Sequence, residues 1–289
     1  MHIYVAGNIT VDETWQCTAL PNKGESLHGK KIMADTGGKG ANQAIVLSRC
    51  GLPVTLIAGR GNDHYGEWIN QQLQAETLQL FPETPLPVHT DTSIIFTTTD
   101  DDNAIITSCD AASALETATI TALLETARPG DVLVQQGNFT PEKTRALFTC
   151  ARSKQMLTVF NPSPVHEDFR QLWPLVDIAV VNEHESRLLQ PDSAHTLVVE
   201  TLGSQGARLH AHGHTEHVPA VPATVVDTTG AGDTFLAVML ASALLRNTQP
   251  DALALHHASQ AAAITISRAG TRQAFPSKET LAALLAQTR

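Results

Sequence analysis

Short β-branched apolar runs alternate along this chain with longer stretches whose apolar residues recur at helical spacing. Runs at 3–6, 54–58, 132–135, 157–160, 178–181, 197–201 and 224–226 predict strands. Segments 41–50, 66–74, 114–126, 141–153, 183–189, 230–245, 251–267 and 278–288 predict helices. This alternation predicts an α/β fold with a mostly parallel sheet and helices on both faces. Ligands of such sheets bind beyond the carboxyl ends of the strands. Two stretches break the pattern. Residues 12–36 carry polar β-like pieces, and residues 90–108 read as a hairpin that turns at Asp100-Asp101-Asp102-Asn103. Together they predict a small extra sheet that covers the site as a lid, against the alternative of a surface embellishment. Pro82-Glu83-Thr84-Pro85-Leu86-Pro87 reads as a rigid connector into the hairpin. With no repeat and no obvious linker, residues 1–289 are expected to form one domain.

Bulk properties narrow the classes. The chain of 289 residues is long enough for a large core. Its 19 Lys+Arg against 29 Asp+Glu give −10, which disfavours a nucleic-acid groove and an anionic membrane surface, but not ATP. Cys17, Cys50, Cys109 and Cys150 are far apart and form no CxxC pair, so a reducing cytoplasm is expected. No apolar run approaches the length of a membrane span.

The candidate chemistry centres on Val226-Asp227-Thr228-Thr229-Gly230-Ala231-Gly232-Asp233-Thr234-Phe235. A glycine-rich turn opening a helix directs backbone N–H groups at one spot, where an anion can sit. An aspartate there repels a phosphate, so Asp233 makes sense as a base facing a hydroxyl that attacks it. The bland alternative is a helix-capping aspartate. A second cluster, Asp35-Thr36-Gly37-Gly38-Lys39-Gly40-Ala41-Asn42-Gln43-Ala44, also opens a helix, and Lys39 and Asn42 offer donors suited to hydroxyls. Neither is a nucleotide fingerprint of the Walker or GxGxxG kind: Lys39 is followed by Gly40, and Phe235 holds the third glycine position.

These two clusters stand in the order and separation found in the ribokinase (PfkB) family of sugar kinases, which the whole chain resembles. Gly7 with Asp12, Asn182-Glu183-His184-Glu185, Thr201-Leu202-Gly203-Ser204-Gln205-Gly206 and Arg268-Ala269-Gly270 also fall where that family has motifs. The resemblance implies a ribokinase-like three-layer α/β/α sandwich with a small β lid. It implies Asp233 as the base and the N–H groups of Gly230, Ala231 and Gly232 as the anion hole. Asp12, Thr10, Gly38, Lys39, Asn42 and Asn138 are then the sugar-site candidates. Asn182, Thr201, Gly203, Ser204, Gly206 and Ser259 are the candidates on the ATP side. Glu185 with Asn182 organises Mg²⁺, as magnesium prefers oxygen ligands and keeps several waters. Asp227 and Thr229, with carbonyls near Thr265, Arg268 and Gly270, are the implied K⁺ ligands.

Three departures bear on the sugar. Thr10 replaces an asparagine, Gly137 replaces a glutamate that touches the sugar, and Asp110-Ala111-Ala112 replaces Gly-Ala-Asn after the hairpin. Ala274 stands where ribokinases often offer a serine to the cation. The phosphoryl-transfer half is intact and the sugar half altered, which raises the hypothesis of a preferred sugar other than ribose. The expected activity is ATP-dependent transfer to a primary hydroxyl of a small sugar, with ribose and deoxyribose as first candidates, then other pentoses or ketohexoses. The rivals are a nucleoside kinase and a catalytically silent sugar-binding protein. A homodimer through the lid edge is a further expectation. His210, His212, His214 and His217 read as hairpin histidines, not a zinc site.

Overall fold

The computed structural model describes residues 1–98, 103–211 and 213–288, so Thr99, the expected turn residues Asp100, Asp101 and Asp102, and His212 lie outside the described residues. The strands are β1 (Ile3–Ala6), β2 (Thr10–Cys17), β3 (Lys30–Gly37), β4 (Val54–Ile57), β5 (Gln79–Phe81), β6 (Thr92–Thr98), β7 (Asn103–Thr107), β8 (Val132–Gln136), β9 (Leu157–Asn161), β10 (Ile178–Asn182), β11 (Leu197–Thr201), β12 (Ala207–Ala211) and β13 (His214–Val218). The α-helices are α1 (Lys39–Arg49), α2 (His64–Leu73), α3 (Asp110–Ala114), α4 (Thr117–Leu124), α5 (Pro141–Ser153), α6 (Glu183–Leu189), α7 (Ala231–Leu245), α8 (Ala252–Ile266) and α9 (Lys278–Leu285).

Among the described residues the main sheet has the order β13-β12-β11-β10-β9-β8-β1-β4-β5. It is parallel from β5 to β11, and β12 and β13 join antiparallel at one edge. The central strands are apolar on both faces because both faces are covered. One face packs on α1, α7 and α8 through Ile45, Leu47, Leu236, Leu240 and Leu255. The other packs on α4, α5 and the 3₁₀ segment Glu167–Leu175 through Ile120, Leu147, Phe148 and Phe169. Phe160 of β9 makes edge-to-face contacts with Phe148 and Phe169, an arrangement favoured by the ring quadrupoles. The three-layer α/β/α architecture is thus the one expected.

The sheet grows outward from β1 in both directions, to β4 on one side and β8 on the other. Such a reversal leaves a crevice at the carboxyl ends of the diverging strands. A second sheet of order β3-β2-β6-β7 stands over that crevice. It unites the two stretches that broke the alternation, with β2 and β6 paired in parallel.

Several expectations are corrected. Residues 224–226 form no strand: Val225 and Val226 are about 60% exposed (61% and 59%), and Val226 N donates to Ile266 O at 2.7 Å, at the end of α8. β-Branched residues without a ladder partner do not make a strand. The glycine turn therefore follows an irregular connector, not a strand end. The helix expected over 114–126 is confined to α4, Thr117–Leu124: Ala114 ends the preceding α3, and Leu115, with ψ of 105°, leaves the helical region. Strand β2 begins at Thr10, ahead of the expected start, and the 3₁₀ segment and β5 were not anticipated.

His257 of α8 is buried, with Nδ1 2.9 Å from Ser242 Oγ on α7 and Nε2 3.2 Å from Gln287 O. Burial holds its imidazole below the usual 6.5. Below pH 6.5 the unfolded chain takes up a proton that the folded chain declines, so stability is full above that pH and falls below it. Urea midpoints at pH 7.5 and 5.5 are expected to show a loss at the lower pH that is smaller in His257→Gln.

Candidate active site

The carboxyl ends of β1, β8, β9, β10 and β11 and the N-termini of α1 and α7 converge on a cleft of about 970 Å³, roofed by the second sheet. At its centre lies Asp233, on the first turn of α7. Gly230 is the N-cap, with φ of 75°, a left-handed conformation natural to glycine. Asp233 is the third residue of the helix and does not cap it. Its Oδ2 accepts from Asn42 Nδ2 at 2.8 Å and its Oδ1 from Gln43 Nε2 at 2.9 Å. Only 5% of Asp233 is exposed, yet it lines the cleft.

The adjoining N–H groups are partly free. Ala231 N donates to Thr228 O at 3.2 Å, whereas Gly230 and Gly232 N–H have no partner among the described residues and these two residues line the cleft. Of the three expected anion-hole amides, the structure leaves Gly230 and Gly232 available. The α7 dipole adds partial positive charge there.

In the second sheet, Asp12 of β2 accepts from Thr10 Oγ1 at 2.7 Å. Burial raises the Asp12 carboxyl above the usual 3.8; bonds from Thr10 and Ser93 pull it back, and Asp35 and Asp233 push it further up. A Cβ on Gly37 would lie 1.9 Å from Asp12 Oδ2, so the carboxylate occupies space only a glycine leaves. Lys39 is the one Lys or Arg lining the cleft among the described residues. Asn42 Oδ1 and Asn138 Oδ1 are buried without a partner among the described residues, and both residues line the cleft. Thr10 itself lines the cleft with its hydroxyl engaged by Asp12, while Asn42 and Asn138 keep an acceptor to offer.

Gly137 is closed to a side chain: a Cβ there would lie 1.9 Å from Pro164 O. The backbone of Ser163-Pro164, which itself lines the cleft, fills that space, and Gly137 N donates to Ser163 O at 3.0 Å. Ala111 and Ala112 lie outside the cleft lining, their N–H groups held by the Asp91 carboxylate at 3.0 and 2.9 Å.

On the opposite side, Asn182 and Glu185 form a capping box at the start of α6: Glu185 N donates to Asn182 Oδ1 and Asn182 N to Glu185 Oε2, at 2.9 and 3.0 Å. Both line the cleft, as does Thr201. The capping box leaves Glu185 Oε1 for other partners. Gly203, Ser204, Gly206 and Ser259 do not line the cleft; Ser259 is buried within α8.

Asp227 ties two loops together, with Oδ1 accepting from Thr229 N at 2.9 Å and Oδ2 from Gly270 N at 3.1 Å. Thr265 is buried, its carbonyl accepting from Arg268 N, and Arg268 is exposed. Groups of three or more His, Cys, Asp or Glu able to hold a metal are absent among the described residues. His210 Nδ1 lies 2.9 Å from Thr215 Oγ1 across the β12–β13 hairpin, and His217 Nε2 lies 2.8 Å from Gln205 O in the turn before it.

Sequence reasoning gave no role to Gln43, Gln136, Asn161, Asp35 or Asp91. Asp35 accepts from Thr271 and Gln273 N–H at 3.0 and 3.3 Å and so pins that loop against β3. A carboxylate beside free helix-terminal amides, in a cleft lined by hydroxyls and amides, is the layout of a phosphotransferase acting on an alcohol.

Comparison with known proteins gives that class a family. Residues 5–278 match the family described as pfkB family carbohydrate kinase, and the chain belongs to it. It is 31% identical over 242 residues to a ribokinase of Lactococcus lactis, covering 81% of this chain and 80% of that one. In fold it resembles the ribokinase of Giardia lamblia, with a TM-score of 0.85 at 23% identity over 99% of this chain and 98% of that one. It also resembles the Arabidopsis thaliana ribokinase complexed with ribose and ATP, with a TM-score of 0.81 at 22% identity over 99% of each chain. The protein is a ribokinase-like carbohydrate kinase, a phosphotransferase with an alcohol group as acceptor.

Proposed function

We propose that this protein transfers the γ-phosphoryl of Mg·ATP to a primary hydroxyl of ribose or a closely related pentose. The observation that carries this reading is Asp233, held by amide donors beside unpartnered helix-terminal N–H groups in one cleft with Asp12. In this reading Asp233 takes the hydroxyl proton as the oxygen attacks phosphorus. The amides of Gly230 and Gly232, with the helix dipole, stabilise the charge on the transferred group. Asp12 accepts sugar hydroxyls, and Lys39, Asn42 and Asn138 complete the sugar subsite.

The donor set on the other side of the cleft supports a reading with metal ions. Glu185 offers its second carboxylate oxygen beside Asn182, hard ligands of the kind magnesium takes. Magnesium would there neutralise charge on the nucleotide phosphates. Asp227 keeps lone pairs beyond its two N–H bonds, and with Thr229 and the carbonyls of Thr265, Arg268 and Gly270 would hold potassium, which steadies the loop before α7. Thr201, Gly203, Ser204, Gly206 and Ser259 are assigned to the nucleotide side, of which Thr201 lines the cleft. The whole chain acts as one catalytic unit with the second sheet as its lid, and that sheet's free edges suit pairing with a second copy. No helix among the described residues is long and apolar enough to cross a membrane. The four free cysteines suit a cytoplasmic setting, and the net charge of −10 disfavours nucleic acid as a partner.

A sugar acceptor is favoured over a nucleoside because no Phe, Tyr or Trp lines the cleft among the described residues to stack on a base. ADP release over D-ribose, 2-deoxyribose, other pentoses and ketohexoses, with a nucleoside control, tests the proposal. Turnover with a pentose and none with the nucleoside is expected. Clear preference for D-ribose would show that Gly137 and its neighbours leave ribose recognition intact. Silence with every sugar would mark a binding protein.

A further inference from the structure

Behind Asp233 lies a chain of buried amides that sequence motifs alone do not explain. Gln136, at the carboxyl end of β8, donates from Nε2 to Gln43 Oε1 at 2.8 Å. Gln43 Nε2 donates in turn to Asp233 Oδ1 at 2.9 Å and to Asn161 Oδ1 at 3.3 Å. Asn161 is itself oriented by its Nδ2 bond to Val180 O at 3.0 Å. Gln43 and Gln136 are both 0% exposed, so neither can exchange these partners for water.

We propose that Gln136 and Gln43 form a positioning relay that fixes the Asp233 carboxylate for proton abstraction; this rests on Asp233 being the base. The polarity of the relay has one solution. Gln43 must present its NH₂ to Asp233 and Asn161 and its oxygen to Gln136. The flipped amide would set an oxygen against two acceptor oxygens and an NH₂ against the NH₂ of Gln136. The two acceptors, Asp233 and Asn161, set that orientation, and Gln136 reinforces it by donating to the oxygen that it leaves. Asn42 secures the other carboxylate oxygen, so the rotation of Asp233 is restricted at both ends. Charge-assisted bonds of this kind are the stronger class, and misplacing a base by a small distance lowers catalysis steeply.

Gly7 acquires a purpose in the same relay. A Cβ there would lie 1.9 Å from Gln136 Oε1 and 3.0 Å from Gly40 Cα. The glycine after β1 leaves the space in which the Gln136 amide sits.

The test is a double-mutant cycle on kcat with Gln43→Met and Gln136→Met, replacements of similar length that remove the amides. Gln43→Met is expected to lower kcat about 10- to 100-fold, the equivalent of one charge-assisted hydrogen bond, with the sugar KM within about threefold. Gln136→Met is expected to lose less alone and nothing further in the Gln43→Met background, because its effect passes through Gln43. Additive losses, a loss carried by KM, or full kcat in Gln136→Met would overturn the relay. Thermal unfolding identifies a variant that does not fold. In that event Gly7→Ala, whose Cβ meets Gln136 Oε1 at 1.9 Å and the Gly40 backbone only at 3.0 Å, is read by the same kcat and KM criteria. Asp233→Asn separates the two levels. A dead Asp233→Asn beside additive glutamine losses removes the relay alone, whereas an active Asp233→Asn removes the base assignment beneath it.

Discussion

Asp233→Asn is expected to lower kcat by about 10³-fold while the KM values for sugar and ATP change little. The substitution keeps the volume and leaves the fold intact, as α7 is anchored by Phe235, Leu236, Val238 and Leu240 in the core. It removes the proton acceptor and supplies an NH₂ that faces the donors of Asn42 and Gln43, so one of those bonds is also lost. Because the acceptor acts only as the proton leaves, the loss belongs to the transition state and appears in kcat. Steady-state kinetics with a thermal melt decides it. A variant that folds and retains more than a tenth of the wild-type kcat means that another group takes the proton.

Asp12→Ala is expected to act on the other parameter, raising the sugar KM about 100-fold as two hydroxyl bonds to a carboxylate disappear. Gly37→Ala is the more discriminating version. It leaves Asp12 in place, yet its Cβ falls 1.9 Å from Asp12 Oδ2 and must push the carboxylate out of the sugar subsite. A KM increase of similar size in Gly37→Ala, at unchanged ATP KM, supports Asp12 as the sugar acceptor. An unchanged sugar KM removes it from that role. Acid pH gives an independent handle. Burial, with Asp35 and Asp233 close by, raises the Asp12 carboxyl above 3.8 in the free enzyme. Protonation abolishes its use as an acceptor for two hydroxyls, so the sugar KM is expected to climb as pH falls while still above 3.8. The ATP KM, read at saturating sugar, is not expected to follow it.

The parts of this molecule that sequence conveys are those in which local chemistry and fold agree. Strand β1, helices α5 and α6 and strand β11 begin and end where pattern places them, because apolar runs, Pro141 at a helix start and an Asn182–Glu185 capping pair all act within a few residues. The second sheet is legible for a different reason: its segments refuse the helical period of their neighbours. What fails is what depends on distant partners. The run at 224–226 has strand-forming residues and no strand beside it, and the 3₁₀ segment Glu167–Leu175 carries Pro174 and owes its place to Phe169 and Trp173 reaching the core.

The site divides the same way. A glycine cluster announces Asp233, since backbone demands leave a mark on composition, whereas Asp12 is legible only through the family resemblance. Gln43 and Gln136 leave none: a buried glutamine reads as a polar residue in an element, and the Gln43–Asp233 bond spans 190 residues. Asp91 and Asp35 are likewise silent until the loops they pin are seen beside them. The Gly137 departure changes meaning once the fold is known. It is not a hole left by a lost carboxylate, because the backbone at Pro164 fills that position.

The central claim is that an alcohol reaches Asp233 at the mouth of α7. Its most direct measurement is a crystal structure with sugar and a non-hydrolysable ATP analogue bound together. The account predicts the primary hydroxyl oxygen about 2.6–3.2 Å from an Asp233 carboxylate oxygen, with the terminal phosphoryl facing the amides of Gly230 and Gly232. A hydroxyl bonded to another base, with Asp233 still occupied only by Asn42 and Gln43, would contradict it.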